Sequence, residues 1–359
     1  MSDKVSIIAY GNKYVDYKNF TVSRSVDNMC GQFSFDSAFD WFERRDPWDV
    51  ISSDEIEIRL NDKRYMIGII DAIEPSVSAN DRSISIAGRE ITSPLFDCHV
   101  IPDEVNRSFS TIKGLVQALG IKNRFNIDVF IDFFEIPVER EVNASYGDTF
   151  FDILEKHCKK AGARINTSTD GILIITNNIE DQSVRRVIRH DDNVVSASVK
   201  YDTSNRFSRY HIFSNAESDF TDPSPSRSSS GSSIDTGVNA YRTYVEISKT
   251  PLSIEECVDI AKYERAIRSA RSATLSLVLL GWEIHKGEGD FWEPGFVVSV
   301  NIPEISVRGQ WVVISTQISY SDAGEITTLD LQKRGARSLD PRDQKEDQES
   351  ISDWTDGSN

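Results

Sequence analysis

Apolar and polar residues alternate along much of this chain, and this period-2 pattern constrains its fold more than any other feature. In the segment IEIRL, Ile56, Ile58 and Leu60 fall on one face of an extended chain, as expected for a strand buried on one side. The alternation continues at Arg64–Ile70 and Ser83–Ala87. Short alternating runs separated by polar turns predict a small antiparallel β-barrel in residues 1–97.

A helical period replaces the alternation after this region. Ile112, Leu115, Val116 and Leu119 follow the spacing i, i+3, i+4, i+7, which places them on one face of a helix. Gly120 supplies a stop signal, because glycine adopts the left-handed conformation that ends many helices. A short helix is therefore predicted to end at that glycine.

A second helix and a hairpin are predicted in the same middle region. The helix spans Thr149–Ala161, with Asp148 as its N-cap and Gly162 at its end. Asp170 and Gly171 stand between two apolar runs, which is a strong signal for a β-hairpin. Residues 98–182 are therefore predicted to form a small α/β domain.

Residues 216–284 are predicted to be an insertion. Its first part, Ala216–Gly237, is rich in Ser and Pro and has too little apolar area to offset its chain entropy, so a mobile loop is expected. The rest predicts a strand, a helix and a strand, at Tyr241–Ile247, Ser253–Ala270 and Thr274–Ile284. Ser253 and Glu256 have the spacing of a capping box at the start of that helix.

Alternation returns on both sides of the insertion, in residues 183–215 and 285–335, and predicts a second barrel. Residues 338–359 carry seven acids and two bases, so residues 336–359 are expected to be a disordered acidic tail. The predicted fold is a β-rich α+β fold with two antiparallel β-barrel domains. A small α/β domain lies between the barrels, and the second barrel contains the β-α-β insertion.

Charge and compartment exclude several classes of protein. The formal net charge is −17, which argues against nucleic-acid binding as the main role, since phosphates are bound through clustered Lys and Arg. The basic patch Arg185, Arg186 and Arg189 is interpreted as a solvated face or an inter-chain contact.

No apolar run approaches the roughly 20 residues that cross a bilayer, and the N-terminus lacks the features of a signal peptide. No membrane partner is expected.

The cysteines are consistent with a reducing compartment, as expected for a chain without a signal peptide. Cys30, Cys98, Cys158 and Cys257 are far apart and form no Cys-x-x-Cys pair. Four buried free thiols are therefore expected, because free cysteine behaves as a small apolar residue.

The sequence contains no recognisable catalytic constellation. None of the five histidines forms a zinc motif with a second ligand, and neither a Gly-x-Ser-x-Gly elbow nor a phosphate-binding loop occurs. Residues 287–290 only faintly resemble a Gly-rich loop and are interpreted as a hairpin turn. We therefore predict no catalytic, cofactor-binding or metal-binding residue, no cofactor, and a protein that is not an enzyme. The histidines are His99, His157, His190, His211 and His285.

Two other functions stay open at this point. A carbohydrate-binding module would use tryptophans as an exposed sugar-stacking surface, although tryptophans are also ordinary anchors of cores and interfaces. A cell-wall hydrolase would place two carboxylates face to face in a cleft, one of them with a raised pKa. The candidate tryptophans are Trp41, Trp48, Trp282, Trp292 and Trp311.

Three segments resemble the baseplate hub family of Mu-like phage and prophage tail proteins. GREITSPLFDC (Gly88–Cys98) is similar to that family's Gly-Arg-Asp-x-x-x-Asp-Leu-x-Asp-Cys junction, with Glu90 and Pro94 in place of its first two Asp residues. Gly147–Gly162 resembles its middle-domain helix, and Trp292–Leu331 resembles its last barrel. The resemblance extends to the hubs of T-even phages and to late control D-type proteins.

The resemblance implies a homotrimer: a ring of three chains, each with two similar barrels, that joins the tail tube to a spike in a contractile tail baseplate. The chain ends in an acidic tail without β-helix repeats, so the spike is expected to be a separate protein. DNA is expected to pass through the acidic channel without specific binding. The expected location is the host cytoplasm during assembly and then the virion tail.

Overall fold

The computed structural model describes residues 5–9, 12–14, 18–38, 52–78, 82–133, 137, 140–177, 183–214, 229–248, 252–321 and 324–335. The chain divides into two compact units. Unit 1 comprises residues 1–198 and 276–331, and unit 2 comprises residues 199–275 and 332–359. In the described ranges, no helix has both the length and the apolar character needed to cross a membrane.

The alternating N-terminal region forms antiparallel strands, as predicted. In β5 the side chains of Ile56, Ile58 and Leu60 are buried while their neighbours are not. The pairing of β6 with β7 shifts register between Ile70 and Ala72, which leaves the intervening residue as a β-bulge. The strands are β1 (Val5–Ala9), β2 (Asn12–Tyr14), β3 (Asn19–Ser25), β4 (Gln32–Ala38), β5 (Glu55–Leu60), β6 (Lys63–Val77) and β7 (Arg82–Glu90).

The middle region combines short helices and strands around its own core. Its elements are α1 (Pro94–Asp97), α2 (Pro102–Val105), β8 (Ser108–Phe109), α3 (Ile112–Leu119), α4 (Ile121–Phe125), β9 (Val129–Asp132), β10 (Arg140–Glu141), α5 (Phe150–Lys160), β11 (Arg164–Thr167) and β12 (Leu173–Thr176). Gly120 ends α3 with φ +64°, and β11 and β12 form the predicted hairpin. The predicted N-cap of α5 was wrong: Thr149, and not Asp148, caps it in a capping box with Asp152.

Unit 2 contains a three-stranded sheet covered on one face by a long helix. The strands preceding it are β13 (Val184–Arg189) and β14 (Val194–Tyr201); the unit's own elements are β15 (Arg209–Ser214), β16 (Ser229–Ile234), β17 (Thr243–Ser248) and α6 (Ile254–Arg271). β15 is the central strand, antiparallel to β16 and parallel to β17. Ser253 and Glu256 form the predicted capping box of α6.

The expectation of a mobile loop was wrong for the last part of the Ser-rich stretch. Residues 229–234 form strand β16, and residues 216–228 lie outside the described residues. The strand is rich in Ser and Gly because it packs closely under α6. A Cβ on Gly231 would lie 2.8 Å from the Cβ of Cys257 and closer still to backbone atoms of Cys257 and Val258. Low apolar content here reflects a close approach of backbones and not disorder.

The remaining strands join the N-terminal strands in one 13-stranded sheet. They are β18 (Ala273–Leu280), β19 (Val297–Ile302), β20 (Val307–Ser321) and β21 (Gly324–Lys333), with a 3-10 turn at Pro303–Ile305. The long strand β20 pairs first with β19 and then, over Ser315–Tyr320, with β3. The main path runs β14-β18-β21-β20-β3-β4-β7-β6-β5-β1-β2. The described pairings do not close either sheet region, so the two barrels stay a prediction.

Candidate functional site

The segment Gly88–Cys98 forms the junction between β7 and the middle region, and its charged residues are held by specific partners. Arg89 Nε lies 2.7 Å from Asp71 Oδ2, and Arg89 Nη2 lies 2.7 Å from Asp97 Oδ2. Second hydrogen bonds make the guanidinium bidentate to both carboxylates. The same Arg89 lowers the pKa of Asp97. Asp71 is the residue in the β-bulge of β6. The bulge therefore positions one of the two carboxylates that bind Arg89.

Glu90, the next residue, points into the protein. Its side chain is 1% exposed and makes an ion pair with Arg24 at 3.0 Å. Glu90 Oε2 also accepts a hydrogen bond from the backbone N–H of Gly31 at 2.9 Å. Burial nevertheless raises the pKa of Glu90, against the opposing effect of Arg24. Arg24 in turn donates to the carbonyl oxygen of Thr167, so the pair connects β3, β7 and β11.

The apolar residues of the junction motif also have structural roles. A Cβ on Gly88 would lie 2.8 Å from Cε1 of Phe33, so a larger residue does not fit there. Leu95 is fully buried in the core of the middle region. Pro94 is the first residue of α1, a position where its missing N–H costs nothing. The motif therefore specifies a folded junction.

Two carboxylates with raised pKa values do face one small cavity. Burial raises the pKa of both Glu90 and Glu293, and the like charge of Glu293 raises the pKa of Glu90 further. The cavity that both line has a volume of about 10 Å³, which corresponds to about one water molecule. A sugar ring cannot enter such a space. This arrangement therefore gives no support to the hydrolase alternative.

The described tryptophans do not form a sugar-stacking surface. Trp282 and Trp292 are fully buried and Trp311 is 2% exposed. Trp282 Nε1 donates to the carbonyl oxygen of Ser319 at 2.9 Å, and the Trp292 carbonyl accepts from the hydroxyl of Tyr65 at 3.1 Å. They anchor cores, as the more ordinary interpretation held. Trp41 and Trp48 lie outside the described residues.

The cysteine prediction needs one correction. Cys30, Cys158 and Cys257 are buried, but Cys98 is exposed, because it follows α1 as the residue that caps its C-terminus. Burial raises the pKa of the Cys30 thiol to about 12. Over the described ranges, no group of three or more His, Cys, Asp and Glu side chains is arranged to hold a metal ion.

The basic patch and the Gly-rich turn also have places in the structure. Arg186 donates to the carbonyl of Ile284 and to Asn193 Oδ1, and the guanidinium of Arg185 lies 4.7 Å from the centre of the Phe296 ring. Residues 287–290 form a turn closed by the antiparallel bridge between Glu283 and Phe291, as predicted.

Sequence reasoning missed the buried partner Arg24 and the half-buried Glu293, which lines the same cavity. Each stands in a strand or turn far from Glu90 along the chain, and an isolated charged residue in an alternating strand is normally solvent-exposed. The one available signal was the unusual position of Glu90, next to the Arg and Gly of the junction motif.

The arrangement of strands and junction has close counterparts among solved structures. The chain superposes on the 43 kDa tail protein of prophage MuSo2 from Shewanella oneidensis with a TM-score of 0.77 and 20% identity, covering 93% of this chain and 99% of that one. A tail protein from Neisseria meningitidis MC58 gives a TM-score of 0.75 and 18% identity, covering 95% and 99%. The fold is therefore that of prophage tail proteins.

Sequence comparison narrows the resemblance. Residues 4–90 match the family model described as Mu phage baseplate assembly protein GpP-like, N-terminal. The baseplate hub protein gp44 of Escherichia phage Mu is 20% identical over 331 residues, covering 88% of this chain and 83% of the phage protein. The resemblance to Mu-like phage tail proteins of the baseplate hub type is confirmed.

Proposed function

We propose that this protein is a structural subunit of a phage tail baseplate hub. In this proposal three copies form a ring, each contributing two barrels, and the ring connects the tail tube to a spike formed by a separate protein. We propose the domains expected from the sequence, except that residues 229–234 form strand β16 and not a loop. The junction Gly88–Cys98 lies between the proposed first barrel and the middle domain. The protein assembles in the host cytoplasm and then resides in the baseplate of a contractile tail.

The observation that carries the proposal is the extent of the likeness. The similarity to the hub protein of phage Mu and the likeness to the two prophage tail proteins each span most of both chains. A shared module inside an otherwise different protein would match only part of them. Because all three relatives are named as tail or baseplate proteins, a structural role in that assembly is the simplest common function.

The described surface also offers association sites, as a ring subunit requires. β14 is an end strand of the sheet path, with Val195 53% and Tyr201 57% exposed. Open strand edges with apolar side chains are surfaces for pairing with another chain. The charged centre at Glu90 is enclosed, so we propose that it stabilises the fold and that the protein catalyses no reaction.

Measurement of the mass in solution tests the ring. Light scattering on the purified protein from micromolar concentrations upward is expected to give the mass of three chains at the upper end. Electron microscopy of that species should show a threefold particle with a central hole. A monomer over the whole range, together with monomers after mixing with the spike protein of the same phage, would contradict the proposal.

DNA binding tests the proposed channel separately. The net charge of −17 predicts a channel wall that repels phosphates and lets DNA slide through. No retention of double-stranded DNA is expected at physiological salt. Tight binding under those conditions would contradict the channel but leave the ring itself to the mass measurement.

A further inference from the structure

The small cavity beside Glu90 lies where three parts of unit 1 meet. Its lining includes Arg24 of β3, Glu90 at the end of β7, Thr167 of β11 and Glu293 in the segment that leads to β19. The volume of about 10 Å³ holds about one water molecule. A change of charge in this space therefore acts on the first sheet, the middle region and the approach to β19 together.

The charges that line the cavity do not balance if both of its carboxyl groups are ionised. Among the described lining residues, Arg24 is the one cation, whereas Glu90 and Glu293 are both acids. Arg24 is buried, and its Nη2 lies 3.0 Å from Glu90 Oε1 in an ion pair. A second carboxylate leaves a net charge of −1 beside a space that holds almost no water, which is costly without a further partner.

Glu293 lacks such a partner among the described residues. It is half-buried, and its carboxyl group makes neither a hydrogen bond nor a close ion pair with them. Burial raises the pKa of Glu293, more distant Arg24 and Arg185 lower it, and the like charge of Asp290 raises it. Tyr65 on β6 also interacts with Glu293, but burial raises the pKa of that phenol to about 12, so it stays neutral.

Glu90 brings to the same cavity an acceptor that lacks a donor. Its Oε2 accepts a hydrogen bond from the backbone N–H of Gly31 at 2.9 Å. Its Oε1 is in ionic contact with Arg24 but accepts no well-aligned hydrogen bond from a described residue, although the side chain is only 1% exposed. An ionised Glu293 would be a second acceptor, whereas a neutral carboxyl group has an O–H to donate.

We propose that Glu90 and Glu293 share one proton in the folded protein, held between them directly or through one water molecule. Arg24 balances the one negative charge that remains on the pair, and the proton supplies the donor that Glu90 Oε1 lacks. A metal ion in the same space would be repelled by Arg24, while a proton needs no additional volume. The proton belongs to the pair, because two interacting carboxyl groups titrate together.

The shared proton makes this meeting point of unit 1 sensitive to pH. The unfolded chain releases the proton from a glutamate at about pH 4.3, and the folded pair releases it at a higher pH. The stability that the proton contributes is therefore complete in acid and is lost as the pH rises through the pKa of the pair. Loss of the proton places two carboxylates beside one Arg24 and loosens the contact of β7 and β11 with the approach to β19. This inference concerns unit 1 alone and is independent of the hub function.

Infrared spectroscopy of the full-length protein detects the proton directly. At pH 6.5, about two units above the pKa of an ordinary glutamate, the carbonyl stretch of one neutral carboxyl group should remain in wild type. E293Q and E90Q should each lose that band, because the single remaining carboxylate is balanced by Arg24. E288Q removes an acid that is 67% exposed in the preceding turn and should keep the band. No band in wild type, or a band that persists in E293Q, would overturn the proposal.

Urea denaturation at several pH values measures the effect on stability. From pH 5 to pH 8, the equilibrium constant for unfolding of wild type should rise by roughly 10-fold or more relative to that of E293Q, because wild type alone gives up the shared proton. E288Q should follow wild type over the same range. Parallel pH dependence in wild type and E293Q would show that the pair holds no proton above the ordinary range and would overturn the proposal.

Discussion

At Glu90 a carboxylate is kept inside the protein by two partners, while its neighbour Arg89 holds two carboxylates at the surface. Consecutive residues of a strand point to opposite faces, so Glu90 can point into the protein while Arg89 points to the surface. The longer side chain of Glu90, where the family pattern has Asp, contacts Arg24 on β3 and the Gly31 N–H. The altered residue of the motif therefore has a cationic partner on β3 and a backbone donor at Gly31 in this chain.

His157 is the buried ionisable group whose effect on stability is simplest to test. It is 7% exposed, its ring meets Phe109 edge to face at 4.9 Å, and its Nδ1 has no hydrogen-bond partner among the described residues. Burial, with positive charge from Lys156, Lys160 and Arg140, lowers the pKa of His157 to about 4. The folded protein therefore disfavours the proton that the unfolded chain accepts near pH 6.5.

The sign of the pH dependence follows from that difference. Between pH 6.5 and 4 the unfolded chain binds the proton and the folded chain does not, so the free energy of unfolding falls as the pH falls. The loss attributable to His157 should reach roughly 3 kcal/mol near pH 4. H157L should remove this part of the slope, measured by urea denaturation at several pH values against wild type. An unchanged slope in H157L would show that carboxylates alone set the acid stability.

At the scale of elements, the close contact of β16 with α6 gives a second prediction. Gly231 faces the helix, and a Cβ there would meet backbone atoms that cannot rotate away. G231A should therefore destabilise the protein by about 2–3 kcal/mol through overpacking.

The neighbouring Ser232 provides the matched control. It lies on the same strand but is exposed on the opposite face, so S232A should change the free energy of unfolding by less than ~0.5 kcal/mol. Thermal unfolding of the two variants compares them directly. The same midpoint for both would mean that β16 does not pack against α6 as described.

The elements differ in how well the sequence predicted them, and each difference has a physical cause. Helices α3 and α6 carry local end signals at Gly120 and Ser253, so the end of α3 and both bounds of α6 were predicted to within one residue. β16 has no apolar periodicity, because its buried positions are filled by Gly231 and Ser233 under a helix. Its strand character depends on pairing with residues 15 to 25 positions away, which no local pattern records.

The charged junction was predicted only in part, because its long-range partners leave no local pattern in the sequence. The motif around Arg89 was visible as a string of residues, and its meaning as a junction was correct. The nearness of Arg24 and Glu293 to Glu90 depends on strand pairings such as that of β20 with β3, which join residues almost 300 positions apart. Local pattern predicts that a strand exists, whereas the choice of its neighbour is decided by the packing of the whole unit.

At the scale of the whole molecule, the Arg24–Glu90 pair connects two cores of unit 1. The core of the first sheet contains Phe33 and Ile58, and the core of the middle region contains Leu95 and Leu154. Arg24 lies between them, bonded to Glu90 and to the Thr167 carbonyl of β11. Thr167 also donates to the Met29 carbonyl at 3.2 Å. The two cores should consequently unfold as one cooperative unit.

A double-mutant cycle tests this connection. R24M leaves the Glu90 carboxylate buried without its cation and should cost about 3–5 kcal/mol. E90Q removes the negative charge but keeps the shape, so R24M combined with E90Q should cost less than the two single losses together, by about 1–3 kcal/mol. Urea denaturation followed by both tryptophan fluorescence and circular dichroism measures the four proteins.

The form of the transition carries as much information as its midpoint. In wild type the two probes should give one coincident transition, because a fluorescence signal from Trp282 and Trp292 reports the sheet region while circular dichroism also reports the helices of the middle region. In R24M the lost connection should separate the two curves or lower the denaturant slope. Additive single losses with coincident curves in R24M would show that apolar contacts alone join the cores, and that the buried pair is a local feature of the junction.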